Sequence, residues 1–450
     1  MRKGRVEGRI VFISAVLGLL LLFLNGAARA DELSELKQQL ETTQKLLQQM
    51  QERIDQLEAR QRLKERSQKE KIEQEVDKKM AEAVKDQQPA ALPDNLKWIE
   101  KVKISGDLRY RQDHIDEQDS AGRWENGVYR HRIRARLKFD ATVNDEWDLG
   151  FRIASGNDRS PISTNQDLEN AFSKKDIWLD QAYFDWHPAS AEGLNVTGGK
   201  INNPFYKAGK NQLIWDSDLN PEGIAVQYSK PLNDTDQLFF NGGGLWVDEG
   251  DTVADTSLWA AQAYWKRTIG NPDHVLAGAT YYDYGNIESR GDLKSTWLPG
   301  SPSFFGNTTN TAGGFKDDFN VVELFGEYGF KCGTMPTAVF ASWLRNIVAT
   351  TSEDTGWLVG TKFNKAKDDV PGSWECGYDY RETDADAVVG GFGESDFVGS
   401  ATNSKGHRFV FKYQLANNLY WYATYYLAED TRTSKDLDYR RLMGDLVWKF

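Results

Sequence analysis

The stretch VYRHRIRARLKF, from Val128 to Phe139, decides how the rest of the chain is read. At period two, one face carries Arg130, Arg132, Arg134, Arg136 and Lys138, and the other carries His131, Ile133, Ala135, Leu137 and Phe139. Side chains alternate across a strand, so the segment predicts a β-strand with one cationic and one mostly apolar face. On a soluble core the apolar face would pack inward and the arginines would meet solvent. In a transmembrane barrel the apolar face meets lipid and the arginines line an aqueous lumen. The neighbouring segments choose between these.

Beyond Lys101 there is no convincing helical periodicity, and about sixteen segments have the length and alternation of membrane-spanning strands. The first, Val102 to Arg111, sets Val102, Ile104, Gly106, Leu108 and Tyr110 on one face and Lys103, Ser105, Asp107, Arg109 and Arg111 on the other. Later examples are Asp148–Ala154, Ile177–Trp186, Gln237–Val247, Phe319–Phe330 and Leu419–Ala428. The connections alternate in length. Turns such as 142–145, 230–236 and 416–418 are short and rich in turn-forming residues. The loops between them, 114–126, 155–175, 202–222, 285–318, 382–406 and 429–438, are long. Short turns at one rim and long loops at the other predict an all-β, transmembrane antiparallel barrel over residues 101–450, with an aqueous channel inside.

The other bulk features agree. The chain has 450 residues, of which 27% are charged, and a formal net charge of −12. An acidic balance argues against nucleic acid as a partner. No run after the N-terminus is long and apolar enough for a helical span, and a mean hydropathy of −0.62 is compatible with alternating strands. Residues 1–30 have the basic start, apolar run and Ala28-Arg29-Ala30 site of a secretory signal peptide. From 31 to 86 the composition turns to Glu, Gln, Lys, Arg and Leu, with no Gly, Pro or aromatic residue. Leu33, Leu36, Leu40, Leu47, Met50, Ile54 and Leu57 keep one heptad register, which predicts a self-associating α-helical coiled coil, a homotrimer being the expected state. Residues 87–100 read as a linker. The chain ends on Phe450, the aromatic terminus that the barrel-insertion machinery commonly reads in outer-membrane barrels.

The chain resembles the bacterial putative-porin family, outer-membrane porins with an N-terminal coiled coil. The resemblance is closest in Val102–Tyr110 (VKISGDLRY), in Arg130–Phe139 with Val143–Ser155 (VNDEWDLGFRIAS), and in Lys200–Gly223 (KINNPFYKAGKNQLIWDSDLNPEG). The resemblance implies a passive outer-membrane channel for small hydrophilic solutes or ions, a trimeric assembly and no cofactor.

The candidate pore-lining residues are Arg109, Arg111, Arg130, Arg132, Arg134, Arg136, Lys138 and Arg152, a cationic wall that would favour anions. The third long loop is the candidate constriction, with Lys207 and Lys210 on one limb and Asp216 and Asp218 on the other. An enzyme in a barrel is disfavoured. Of five histidines, His187 and His274 fall in short turns, His114 falls in a long loop, and His131 and His407 share parity with lipid-facing residues, so no triad converges. A structural tether or adhesin that uses its coil, with the barrel as anchor, is the alternative class. Cys332 and Cys376 lie about three strands apart, roughly 14 Å at the usual strand spacing, and are expected to be free thiols.

Overall fold

The computed structural model describes residues 94–450 apart from 158–159, 251–252, 292–303 and 433–435, together with scattered helical positions between 38 and 75. The chain divides into two units, Met1–Pro93 and Asp94–Phe450. In the first, Met50, Ile54 and Leu57 are helical and exposed, whereas the signal-peptide segment, Leu33, Leu36, Leu40 and Leu47 lie outside the described residues. The second unit opens with a 3-10 turn, Asp94–Lys101, in place of the end of the expected linker.

Seventeen strands follow: β1 (Val102–Glu117), β2 (Val128–Asn144), β3 (Trp147–Ser155), β4 (Gln166–Asp167), β5 (Ile177–Trp186), β6 (Leu194–Lys200), β7 (Glu222–Pro231), β8 (Asp236–Asp248), β9 (Thr256–Thr268), β10 (His274–Gly285), β11 (Asn320–Cys332), β12 (Met335–Asn346), β13 (Thr355–Asn364), β14 (Trp374–Thr383), β15 (Ser404–Ala416), β16 (Leu419–Asp430) and β17 (Leu437–Lys449). All neighbouring pairs are antiparallel. The two-residue β4 pairs only with β2, and the other sixteen close into a barrel through the pairing of β1 with β17, in which Leu108 faces Trp448 and Asp113 faces Met443. Closure removes the free edges that an open sheet would present.

The parity of the opening strand is as its sequence requires. On β1 and β2, Ile104, Leu108, Tyr110 and His131 are exposed on the outside, while Arg109, Arg111, Asp113, Arg132 and Arg134 are buried in the lumen. The hairpin is longer than the ten residues expected per strand. β1 runs on to Glu117, so His114 lies in a strand, where its ring stacks on Tyr129 at 3.9 Å. His131 and His407 face outward and hydrogen-bond Tyr110 and Tyr378, each at 2.8 Å. Cys332 and Cys376 are free.

One expectation is corrected. The lumen is not simply an open aqueous channel, because about half of its wall is apolar and packed. Leu276, Tyr282, Tyr284, Phe325, Phe340, Leu344 and Leu358 of β10–β13 point inward and are buried against Phe205, Leu213, Ile214 and Trp215 of the third long loop and against Val388, Val389 and Phe392 of the loop 384–403 between β14 and β15, the seventh connection at that rim. These strands carry large apolar residues on both faces; on β12, Val339 and Trp343 face out while Phe340 and Leu344 face in, with Ser342 between them. Alternation with polar residues marks which face is wet. Where both faces are apolar that mark is missing, and what fills the interior cannot be read from the strand.

Candidate pore lining and constriction

The lumen is thus divided between an apolar half, built on β10–β13, and a charged half, built on β1–β3 and β14–β17. The register of β1 on β2 sets Arg109 opposite Arg134 and Arg111 opposite Arg132. Like charges placed directly opposite repel, so this arrangement needs carboxylates between its rungs, and it has them. Asp107 binds Arg134 at 2.8 Å and Arg136 at 2.6 Å. Asp113 binds Arg130 at 2.5 Å and Arg441 at 2.8 Å. Asp445 accepts two parallel bonds from Arg111, from Nε at 2.7 Å and Nη2 at 2.9 Å. Arg132 pairs with Asp167, Arg152 with Asp180 at 2.5 Å, and Lys138 with Asp140 at 2.8 Å. Arg109 is held more loosely, by the Asn165 amide oxygen and by Asp445 at 3.8 Å, and its Nε is buried without a partner.

All eight predicted pore-lining residues therefore lie on one lumen wall, but as a matched ladder rather than a row of free cations. Asp107 and Asp113 alternate with Arg109 and Arg111 on the same strand face; Asp107 falls within the expected strand, whereas Asp113 lies past its expected end at Arg111. Asp445 and Arg441, on the last strand, become neighbours only through barrel closure.

The third long loop turns inward and crosses to the far wall. Tyr206 donates its hydroxyl to Glu327 of β11 at 3.0 Å, and the Gly209 amide donates to the same carboxylate at 2.7 Å. Gly209 has φ 59°, and its α-carbon lies against the Phe340 ring, where a Cβ would collide. A left-handed conformation pressed on an aromatic ring requires glycine. The four predicted constriction residues separate. Asp218 joins the ladder, 3.3 Å from Arg136 and 3.8 Å from Arg134. Asp216 is buried and accepts backbone bonds from Ser395 at 2.7 Å and Asp218 at 2.8 Å; burial, reinforced by the Asp218 carboxylate, pushes its pKa up. Lys207 is spent on the Trp215 carbonyl at 3.2 Å. Lys210 is exposed and turns toward the rim of short turns.

The seventh long loop completes the constriction and was not foreseen. Its Glu394 ties the third loop, through Gln212 at 3.0 Å, to the wall through Arg408 at 2.8 Å, Arg381 at 2.6 Å and the Tyr426 hydroxyl at 2.7 Å. Its Phe392 stacks on Trp215 with ring centroids 5.8 Å apart. Its Asp396 reaches Arg111 at 3.0 Å and Arg441 at 2.9 Å. An aperiodic loop gives no parity, so nothing in the sequence around Glu394 and Asp396 announces that they turn inward. Burial opposes the charge on Asp396, but Arg441 and Arg111 outweigh it and hold the carboxyl well below the usual range. Its stabilisation of the docked loop is therefore present above the ordinary carboxylate pKa and lost only as pH falls through the depressed value. We expect proteolytic protection of the seventh loop to persist through pH 4 and to fail only in stronger acid. Release of the loop near pH 5 would contradict this.

Between the outer loops, a cavity of about 610 Å³ lies against Arg130, Arg132, Arg441 and Asp396. At the opposite rim a second cavity, of about 740 Å³, lies among the short turns. Among the described residues no group of acidic, histidine and cysteine side chains could hold a metal ion.

The structure is similar to that of OprB from Pseudomonas putida, with a TM-score of 0.52 and 12% identity over 79% of this chain and 96% of that one. It is also similar to a mutant porin of Rhodopseudomonas blastica (TM-score 0.44, 13% identity, 78% and 100% covered) and to a loop-deleted OmpT, an outer-membrane protein of Vibrio cholerae (0.42, 15%, 77% and 99%). No curated protein matches by sequence. The family model for putative porins matches residues 123–324 and 317–450, most of the barrel, and the chain belongs to that family.

Proposed function

We propose that the chain is an outer-membrane porin whose lumen passes small hydrophilic solutes or ions by diffusion, narrowed by its third and seventh long loops. The observation that carries this reading is the inward course of the third loop. It leaves the rim between β6 and β7 and anchors on Glu327 across the barrel, so it takes up one half of the lumen and bounds the charged half. A tight core between loop and wall leaves solute to pass along the arginine ladder, where paired charges orient water and ions without presenting a large net field. On this reading the apolar outer face meets outer-membrane lipid, the short turns face the periplasm, and Phe450 serves the insertion machinery. The exposed Met50, Ile54 and Leu57 suit a helix that associates with copies of itself, consistent with a trimer. Anion preference belongs on this reading to the lysine-lined mouth at the rim of short turns rather than to the ladder. Liposome swelling tests the reading. Purified protein in vesicles should admit small neutral sugars and exclude large ones. Vesicles that stay impermeable to every solute would leave the barrel as an anchor for its coil.

A further inference from the structure

The arginine ladder is matched by carboxylates, but the lumen holds a second cationic surface that is not. The cavity of about 740 Å³ at the rim of short turns is lined by six lysines and three carboxylates. Lys362 projects from β13, Lys412 from β15 and Lys449 from β17; Lys365 and Lys367 come from the turn after β13, and Lys210 from the inward third loop. Two of the carboxylates are already engaged. Asp368 binds Lys449 at 2.8 Å and lies 3.7 Å from Lys412. Glu327 accepts from Tyr206 at 3.0 Å and from Gly209 at 2.7 Å, and contacts His274 at 3.1 Å. Among the described residues, Lys210, Lys362, Lys365 and Lys367 have no carboxylate within 4.0 Å. Tyr420 fixes one side of the mouth, its ring 4.0 Å from the Lys412 ammonium and 5.3 Å from that of Lys449.

From this we infer that the short-turn mouth is a binding site for small multivalent oxyanions, polycarboxylates or phosphates, which it concentrates at one end of the pore. The inference rests on the porin reading and adds to it a ligand class and a side. Several ammoniums around one water-filled cavity add their fields, and the low-dielectric wall focuses them. A divalent or trivalent anion gains two or three times what chloride does from the same summed field, and can contact several ammoniums at once. Lysine suits such a site, since its ammonium is a flexible, well-hydrated charge that holds an anion without locking it. The opposite cavity, where Arg130, Arg132 and Arg441 are already paired with Asp113, Asp167 and Asp396, has no comparable surplus.

The test is current block in oriented bilayers, with citrate and pyrophosphate as separate probes added to one side at a time in potassium chloride. Both should block from the short-turn side only. The triple variant Lys362→Gln, Lys365→Gln, Lys367→Gln should weaken block about tenfold, given a few-fold loss for each solvent-accessible charge contact. Lys331→Gln, at an exposed position outside the cavity, should leave it unchanged. Block by citrate alone would assign the mouth to polycarboxylates, and block by pyrophosphate alone to phosphates. Equal block from both sides, or block indifferent to the triple variant, would overturn the inference. Calorimetric titration of both anions into detergent-solubilised protein separates the two readings. Binding lost in the triple variant, without channels, would retain the site and reject the porin; channels without binding would do the reverse.

Discussion

Replacing Gly209 with valine is expected to drive the third long loop off the far wall and to raise single-channel conductance. A β-branched residue at φ 59° carries a left-handed penalty of roughly 1–2 kcal/mol, and overfilling a packed site adds about 1–3 kcal/mol. Here the added atoms meet the Phe340 ring, and Phe340 is buried in the core beneath the loop. The loop can escape by withdrawing, which breaks the Gly209 amide bond to Glu327 and frees the Tyr206 hydroxyl from the same carboxylate. The barrel wall is held by its own ladder of strand pairs, so the lesion should fall on the constriction and spare the fold. Glu327→Ala, which removes the anchor without adding bulk, should act in the same direction. A valine variant with wild-type conductance would separate the loop from the pore's width.

The second large effect is expected at Asp445. This carboxylate is 1% exposed and makes a two-pronged pair with Arg111, itself 3% exposed. Asp445→Asn keeps the shape and removes the charge. Breaking one partner of a buried pair typically costs about 3–5 kcal/mol, because the remaining ion is left uncompensated. Asp396 still faces Arg111 at 3.0 Å, so the lower end of that range is expected. The unfolding midpoint of detergent-solubilised protein should fall accordingly. The same change leaves Arg109, Arg111 and Arg134 clustered with less opposing charge, and should move the reversal potential toward anions. Arg132→Gln, which strands Asp167, should move it toward cations. If neither substitution shifts selectivity, the ladder lies outside the ion path.

The facing of the strands in the charged half was legible because a barrel wall separates two solvents, and those strands record that boundary at period two. VYRHRIRARLKF shows it most clearly, and Val102–Arg111 shows it again on the strand beside it. The carboxylates that neutralise the ladder were half legible. Asp107 and Asp113 share the arginine face of β1, Asp113 past its expected end, whereas Asp445 needs barrel closure and Asp396 needs the fold of a distant loop. The third loop was identified, but the fates of its four charged residues were not. Lys207 and Asp216 are consumed within the loop core, Asp218 goes to the ladder and Lys210 to the opposite mouth. Their sorting depends on where Trp215 and Phe392 pack, a contact between segments some 180 residues apart that no local pattern records. The lysine mouth was missed for the same reason, since its members come from three strands, one turn and the inward loop.

On the proposed reading, a water-filled path runs through the barrel and the third long loop sets its width. Single-channel recording in planar bilayers, with wild type and Gly209→Val side by side, tests it most directly. Discrete, reproducible conductance steps in the wild type, and larger steps in the variant, are the predicted result. The absence of steps in both proteins, with both folded and inserted, would contradict it.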